Sequence, residues 1–174
     1  HFAACARALA ASPDPMIAGL HMEGPYISPH DGPRGAHSRA WVIDASIEDF
    51  KRRQEAALGR IKLVTLAPEV PGALELIEFL VTQNVVVAIG HSAASAQCIH
   101  DAVAAGATLS THLGNGCGST IDRHYNVLWP QLSNDGLIGA FIADGHHLPR
   151  DMLRAMVRAK GLDRTILVTD AVCA

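Results

Sequence analysis

Five side chains that could bind a metal or transfer a proton each follow a short apolar stretch, at the point where a predicted strand ends. Carboxylate and imidazole together suit a divalent transition metal, and hydrolytic zinc sites commonly use three protein ligands and leave a position for water. Glu23, His91 and His112 would form such a set. Asp170 would then be free to accept a proton from the attacking water. The fifth residue is His147.

Taken singly, a histidine at a strand end is more often a hydrogen-bonded structural residue than a metal ligand. His21 could be such a case, since it shares a strand face with Glu23 and could support that residue without binding the ion itself. Five such residues at successive strand ends are harder to explain as independent structural features. The pattern therefore favours a metal-dependent hydrolase, with a purely structural role left open for each residue.

The stretch over residues 85–112 shows how the elements would position these groups. Residues 85–89 form a short run rich in β-branched side chains, typical of a strand buried on both faces, and it leads directly to His91. Helix formers follow over residues 93–105, and a second short strand over residues 107–111 ends at His112. Two consecutive βα steps thus deliver a histidine to the same end of neighbouring parallel strands, as in α/β barrels.

The same alternation continues along the rest of the chain. Further strands are predicted over residues 16–22, 61–66, 137–143 and 165–169, and helices over residues 2–11, 46–58, 72–83, 126–132 and 150–160. Six strands that alternate with helices indicate a parallel α/β sheet. A closed eight-stranded barrel typically needs about 250 residues. Because the chain starts inside a predicted helix and stops just past a strand, we expect a partial (β/α)8 TIM-type barrel of about six βα units, a single incomplete metal-dependent hydrolase domain over residues 1–174.

Composition excludes several classes of function. The net charge of −3 and a pI near 6.4 provide no basic surface for nucleic acid or an anionic membrane. No apolar run reaches the roughly 18 residues of a membrane span, and no glycine-rich nucleotide-binding motif follows a strand. The four cysteines fit no CxxC pattern, which is typical of reduced thiols in a cytoplasmic protein. We therefore expect a small-molecule substrate and no nucleic-acid or membrane partner.

Short motifs in a fixed order span nearly the whole chain. They are GLHMEGPY at 19–26, GAH at 35–37, TLAPE at 65–69, GHS at 90–92, THLGN at 111–115, ADGHH at 143–147 and VTDA at 168–171. In combination they resemble the motifs of the N-acetylglucosamine-6-phosphate deacetylases, a family of the amidohydrolase superfamily. That family has a (β/α)8 barrel beside a small β-sandwich, so the resemblance implies that this chain holds barrel strands three to eight and lacks the first two strands and the sandwich.

The resemblance also implies roles for the strand-end residues. Glu23, His91 and His112 match the ligands of one divalent metal ion, with zinc or iron expected, and Asp170 matches the catalytic acid/base. The implied reaction is metal-dependent deacetylation of N-acetylglucosamine 6-phosphate to glucosamine 6-phosphate and acetate, in amino-sugar catabolism. The implied enzyme is a cytoplasmic homodimer.

Substrate-binding residues carry over in the same way. His37 and His147 match groups that contact the sugar and the acetamide carbonyl. Arg123 matches an arginine that is donated across the dimer interface to bind the phosphate, a task suited to its planar fork of donors. Backbone and amide groups that hold the substrate correspond to Ala36, Asn115 and Gly116.

Two departures from the family pattern keep other functions open. Asn115-Gly116-Cys117 replaces the usual Asn-Ala-Met, and the loop over residues 118–128 differs from the common version. These differences allow an amidohydrolase that acts on another N-acyl substrate. The missing strands allow an inactive sugar-phosphate-binding barrel fragment, because an open barrel exposes strand edges that invite pairing with another chain.

Overall fold

Six parallel strands form one curved sheet in the computed structural model, which describes residues 2–171. The strands pair in chain order, each with its sequence neighbours. This order, with a helix in every connection, makes a half-barrel and confirms the predicted partial TIM-type fold. The strands are β1 (Leu20–Glu23), β2 (Ile61–Leu66), β3 (Val86–Ile89), β4 (Leu109–Ser110), β5 (Ile138–Ile142) and β6 (Thr165–Val168).

The helices follow the local signals of the sequence. Ser46 caps the second helix by accepting a hydrogen bond from the Asp49 backbone N–H at 3.2 Å, and Ser95 caps the fourth in the same way. Gly161 lies just past the sixth helix with a φ of 78°. The helices are α1 (Phe2–Ala11), α2 (Ile47–Ala56), α3 (Ala73–Thr82), α4 (Ala96–Ala104), α5 (Leu128–Ser133) and α6 (Arg150–Lys160), with short 3-10 turns at Arg39–Trp41 and Leu162–Arg164.

The first strand is shorter than the pattern predicts. It begins at Leu20, whereas the apolar run predicted a start at residue 16. The cause is Asp14, whose carboxylate accepts a hydrogen bond from the Met16 backbone N–H at 2.8 Å and whose carbonyl accepts one from Ile17. This turn leaves Met16 88% exposed, because a local side-chain hydrogen bond competes with extended pairing.

The core lies between one face of the sheet and the helices that cover it. Val64 and Leu66 of β2 and Val87 and Ile89 of β3 are fully or almost fully buried there. Phe50 of α2 and Leu76, Ile77 and Leu80 of α3 are buried in the same cluster. Side chains of alternate strand residues point to the opposite, concave face, which leaves that face free for a site at the carboxyl ends of the strands.

Within residues 2–171, no helix combines the length and the apolar character that a membrane crossing would require. Cys5, Cys98 and Cys117 carry free thiols, and Cys173 lies outside the described residues.

A buried lysine joins α6 to the end of α5. Lys160 is 2% exposed, and its ammonium donates hydrogen bonds to the carbonyls of Gln131 at 3.1 Å and Asn134 at 2.7 Å. Carbonyls at a helix C-terminus have no partner within the helix, so this ammonium satisfies groups that would otherwise be buried unpaired. Burial lowers the pKa of Lys160 from its ordinary value, since it disfavours the charged form.

We expect Lys160→Met to lower the free energy of unfolding by about 1–3 kcal/mol, because the two carbonyls lose their donor while the apolar stem is kept. Urea denaturation measures this change. The control is Arg158→Met on the exposed side of the same helix, which should stay within about 0.5 kcal/mol of the native chain. Equal denaturation midpoints for the two variants would contradict this account of Lys160.

Candidate metal centre

Three potential ligand atoms converge from the ends of three different strands. Glu23 is the last residue of β1, and His91 and His112 each lie two residues past the ends of β3 and β4. His91 Nε2 is 2.7 Å from Glu23 Oε1, His112 Nε2 is 3.1 Å from His91 Nε2, and His112 Nε2 is 3.5 Å from Glu23 Oε1. Ligands about 2.0–2.1 Å from a tetrahedral zinc ion lie about 3.3 Å apart. The triangle therefore has the dimensions of a single-ion site.

The hydrogen bonds of His91 show what kind of species the triangle suits. Its Nδ1 lies 2.9 Å from the carbonyl oxygen of Pro33, which only accepts, so Nδ1 carries the proton. In the neutral ring, Nε2 then presents a lone pair to Glu23 Oε1, another acceptor. Two acceptors 2.7 Å apart repel each other unless a proton or a metal cation is shared between them. The donor set thus fits a divalent cation, and Pro33 fixes the ring in the orientation that a ligand needs.

The charges within the triangle keep Glu23 ionised. Burial by itself would raise the pKa of this carboxyl, but hydrogen bonds and positive charge from His112 and His91 outweigh burial and hold the pKa far below its ordinary value. Burial also opposes the charged form of His112, yet Glu23 raises the pKa of His112 overall. The ionised carboxylate of Glu23 is the form that binds a metal ion, whereas any proton on His112 must leave when an ion binds, because only the neutral ring is a ligand.

Backbone strain is concentrated at the same positions. His91, His112 and Asp170 have φ angles of 52°, 30° and 49°, in the left-handed region that non-glycine residues seldom occupy. Such conformations cost on the order of 1–3 kcal/mol each and are typical of functional sites. Three strand ends thus share one unfavourable backbone geometry, which points to a role beyond packing.

Glycines allow the surrounding loops to lie against the two rings. A Cβ atom on Gly35 would come within 3.1 Å of His91 Cε1, and one on Gly116 within 3.1 Å of His112 Cε1. Both residues also have left-handed φ angles, of 58° and 57°. The side chain of His37 follows in the first of these loops, with Nε2 3.3 Å from Glu23 Oε1 and its ring edge-on to that of His91. Ala36 lies between Gly35 and His37.

A cavity of about 450 Å³ opens beside the triangle on the concave face. Glu23, His112 and Asp170 line it, and the negative charge of Asp170 contributes to the raised pKa of His112. Leu63 and Leu109 supply part of an apolar wall. The size falls within the roughly 300–1,000 Å³ of small-molecule sites. A carboxylate and the candidate metal ligands therefore share one substrate-sized space.

Two predicted substrate contacts lie apart from the triangle. His147 is half exposed, and its Nδ1 is 2.7 Å from Asp144 Oδ2, which fixes the ring of His147. Arg123 is exposed in the loop before α5, where its carbonyl accepts a hydrogen bond from the indole N–H of Trp129. Within residues 2–171, neither side chain forms a hydrogen bond with Glu23 or its two histidines. Asn115 lies closer, since its backbone N–H donates to the His112 carbonyl at 2.9 Å.

Sequence reasoning missed the polar residues that lie between the strands of the site. Thr65 Oγ1 is 2.6 Å from Thr111 Oγ1 and 2.7 Å from His21 Nε2. The two threonines meet across β3 because Gly90 lies between them, and a Cβ on Gly90 would come within 2.7 Å of the Thr65 methyl. His21 thus forms a hydrogen bond with the end of the neighbouring strand β2, a supporting contact of the structural kind considered for it above. The position of Thr111 directly before His112 was a signal in the sequence, but no rule of sequence spacing predicts its contact with Thr65.

A half-barrel of six parallel strands with a glutamate and two histidines at its carboxyl edge defines the general class: an α/β barrel domain with a candidate metal centre.

No protein-family model matches the chain. Curated relatives do match: the N-acetylglucosamine-6-phosphate deacetylase of Bacillus subtilis (strain 168) is 37% identical over 155 residues, 89% of this chain and 39% of the relative. The N-acetylgalactosamine-6-phosphate deacetylase of Shewanella sp. (strain ANA-3) is 33% identical over 157 residues, 90% of this chain and 39% of the relative.

A solved structure agrees with these relatives. A mutant N-acetyl-D-glucosamine-6-phosphate deacetylase from Mycobacterium smegmatis, in complex with N-acetyl-D-glucosamine-6-phosphate, superposes with a TM-score of 0.88 at 32% identity and covers 98% of this chain and 44% of that protein. The chain is therefore homologous to the N-acetylglucosamine-6-phosphate deacetylases, and the predicted resemblance is confirmed. It spans about two fifths of the length of the curated relatives it matches.

We expect Gly35→Ala to weaken Zn²⁺ binding by at least about tenfold, because the new methyl group displaces the ring of His91. Isothermal titration of the chain with Zn²⁺ measures this. Gly59→Ala is the matched control: Gly59 has a φ of 73°, but nothing lies within 4 Å of its Cβ position, so it carries the backbone cost alone. Equal losses of Zn²⁺ affinity in the two variants would show that strain, not displacement of His91, is responsible.

Proposed function

We propose that this chain carries the catalytic centre of a metal-dependent deacetylase that converts N-acetylglucosamine 6-phosphate to glucosamine 6-phosphate and acetate, in amino-sugar catabolism in the cytoplasm. One observation carries the proposal: the donor triangle of Glu23, His91 and His112 borders a cavity that also contains Asp170. Homology to enzymes named for this reaction supports the choice of substrate. In this proposal, residues 1–174 belong to one incomplete barrel domain that holds the metal ligands and the acid/base.

The triangle would hold one divalent cation, zinc or iron. When bound, such an ion supplies Lewis acidity and makes a water molecule more nucleophilic at neutral pH. The chain contributes the arrangement of the ligands. Glu23 would provide the negative charge, and the hydrogen bond from His91 Nδ1 to the Pro33 carbonyl would leave the Nε2 lone pair free to bind the ion.

Asp170 would move the proton. Asp170 lies at the cavity rim just past the end of β6, where its backbone has a left-handed conformation. Its side chain is exposed and can accept a proton. As water oxygen bonds to the acetamide carbonyl carbon, Asp170 takes a proton, then returns it to the sugar nitrogen as the C–N bond breaks. Acetate and the free amine leave. No group in this sequence of steps changes its oxidation state.

The remaining predicted contacts would orient the sugar. His147, whose ring is fixed by Asp144, would donate to the acetamide carbonyl, and His37 would contact a sugar hydroxyl. Ala36, Asn115 and Gly116 would offer backbone and amide groups along the same rim. Arg123 would bind the phosphate of a substrate held by the second copy in a homodimer, consistent with its exposed position away from its own triangle.

Asp170→Asn tests the proposed proton transfer. We expect acetate release from N-acetylglucosamine 6-phosphate to fall by about 10²–10⁴-fold, because an amide cannot accept the proton. Zn²⁺ content should stay unchanged, since Asp170 is not a ligand in this proposal. The matched control is Asp163→Asn, at an exposed position in the 3-10 turn before β6, which should retain native turnover. Native turnover in Asp170→Asn would remove Asp170 from the mechanism.

The epimeric sugar is a second candidate substrate. Relatives named N-acetylgalactosamine-6-phosphate deacetylases match the chain at 33–34% identity, close to the values for the glucosamine enzymes. The two substrates differ only at one sugar hydroxyl, far from the reacting amide. A ratio of kcat/KM values for the two epimers decides between them, and binding of either without acetate release would indicate a sugar-phosphate-binding fragment.

We expect Arg123→Ala to raise KM for N-acetylglucosamine 6-phosphate by about 10–100-fold, with little change for unphosphorylated N-acetylglucosamine, because the arginine contacts only the phosphate. The control is Arg154→Ala at an exposed position of α6. Equal effects on both substrates would show that Arg123 has another role. Sedimentation analysis of the native chain tests the homodimer that the proposal requires.

A further inference from the structure

The loop that carries His91 is held by a carboxylate from the neighbouring strand end. Glu69 lies in the turn after β2, three residues past its last residue. Its Oε2 accepts a hydrogen bond from the hydroxyl of Ser92 at 2.8 Å, and its Oε1 accepts one from the backbone N–H of Ala93 at 2.6 Å. Both oxygens therefore hold the two residues that directly follow the candidate ligand.

The arrangement continues through Ser92. Ser92 is 2% exposed, and its hydroxyl accepts a hydrogen bond from the Ala94 backbone N–H at 3.0 Å while it donates one to Glu69. The Glu69 carboxylate, which comes from a separate strand end, thus helps to fix the turn over residues 92–94 in addition to the hydrogen bond within that turn.

His91 itself needs such support. Its φ of 52° is unfavourable for a side chain, and a strained residue persists only where its surroundings determine it. The Ser28 backbone N–H donates to the His91 carbonyl at 2.9 Å, and Pro33 orients the ring. Those contacts come from the loop that follows β1. Glu69, from the turn after β2, holds the two residues that follow His91 in the chain.

Helix capping does not explain these hydrogen bonds. The cap of α4 is Ser95, whose side chain accepts from the Cys98 backbone N–H. The contacts of Glu69 end at Ala93, before the first helical residue. The carboxylate therefore acts on the backbone beside the ligand and not on the helix that follows.

We propose that Glu69 is a positioning residue that fixes the strained backbone of His91 and thereby aims His91 Nε2 at the metal. The inference rests on the proposed metal centre and adds a residue from the turn after β2, the strand between those that lead to Glu23 and His91. Glu69 acts through the position of its two carboxylate oxygens, and its negative charge is of secondary importance.

Zn²⁺ titration of four variants of the 174-residue chain tests this. Glu69→Ala should bind Zn²⁺ about 10–100-fold more weakly than the native chain. Glu69→Gln should stay within about threefold, because the amide oxygen still accepts from Ala93 and the amide nitrogen can donate to the Ser92 hydroxyl. Ser92→Ala, which removes half of the contact and leaves Glu69 in place, should give an intermediate loss. Glu78→Ala, at an exposed acid of α3, is the matched control and should bind as the native chain does.

Hydrogen exchange on the metal-free protein supplies a second readout. The peptide over residues 90–97 should exchange faster in Glu69→Ala than in the native chain, while Glu69→Gln and Glu78→Ala leave its exchange unchanged.

Native Zn²⁺ affinity and native exchange in Glu69→Ala would overturn the inference. Equal losses of Zn²⁺ affinity in Glu69→Gln and Glu69→Ala would overturn it too, because they would show that the charge of Glu69 matters and not its geometry. Neither measurement uses substrate, so failure to release acetate would count against the proposed function alone. A native chain that binds no Zn²⁺ would refute the metal centre, and the exchange of the metal-free protein would still decide the role of Glu69.

Discussion

The site depends on the close approach of one carboxylate oxygen and two imidazole nitrogens. Glu23 Oε1, His91 Nε2 and His112 Nε2 lie within 3.5 Å of one another, although each of them can act as an acceptor. Such an arrangement is unfavourable without positive charge at its centre, since buried acceptors repel one another in a medium of low dielectric constant. The neighbouring loops, the left-handed backbone and the pKa of Glu23 are all consistent with a scaffold built to keep that charge in place.

The fold makes this approach possible through strand order. Because sequence neighbours are also sheet neighbours, the ends of β1 to β4 lie side by side along one edge. The ligands lie at or just past the ends of β1, β3 and β4. Between them, β2 contributes Thr65 and the turn after β2 contributes Glu69. Gly90 allows the threonines to meet across β3. The supporting hydrogen bonds thus come from β2 and from the segments that directly follow β1 and β2.

The concave face shows how recognition and chemistry can share one space. Asp170 reaches the cavity from β6, at the far side of the sheet from Glu23, so the cavity is bordered by the first and last described strands. Arg123 and His147 lie outside the triangle, on loops that are more exposed. In the proposed function, this division would place a rigid centre at the amide and more adaptable loops around the sugar phosphate.

The sequence by itself determined the order and type of the elements and the set of strand-end residues, because hydrophobic periodicity and the residues that end each strand are local signals. It could not determine that β1 begins late at Leu20, since the competing turn depends on one side-chain hydrogen bond from Asp14. Only the tertiary structure decided that Glu69 reaches Ser92, that Thr65 meets Thr111, and that His91 Nδ1 bonds to Pro33. These contacts join residues 23 to 58 positions apart in the chain, and such distances are set by how strands pack, not by spacing along the sequence.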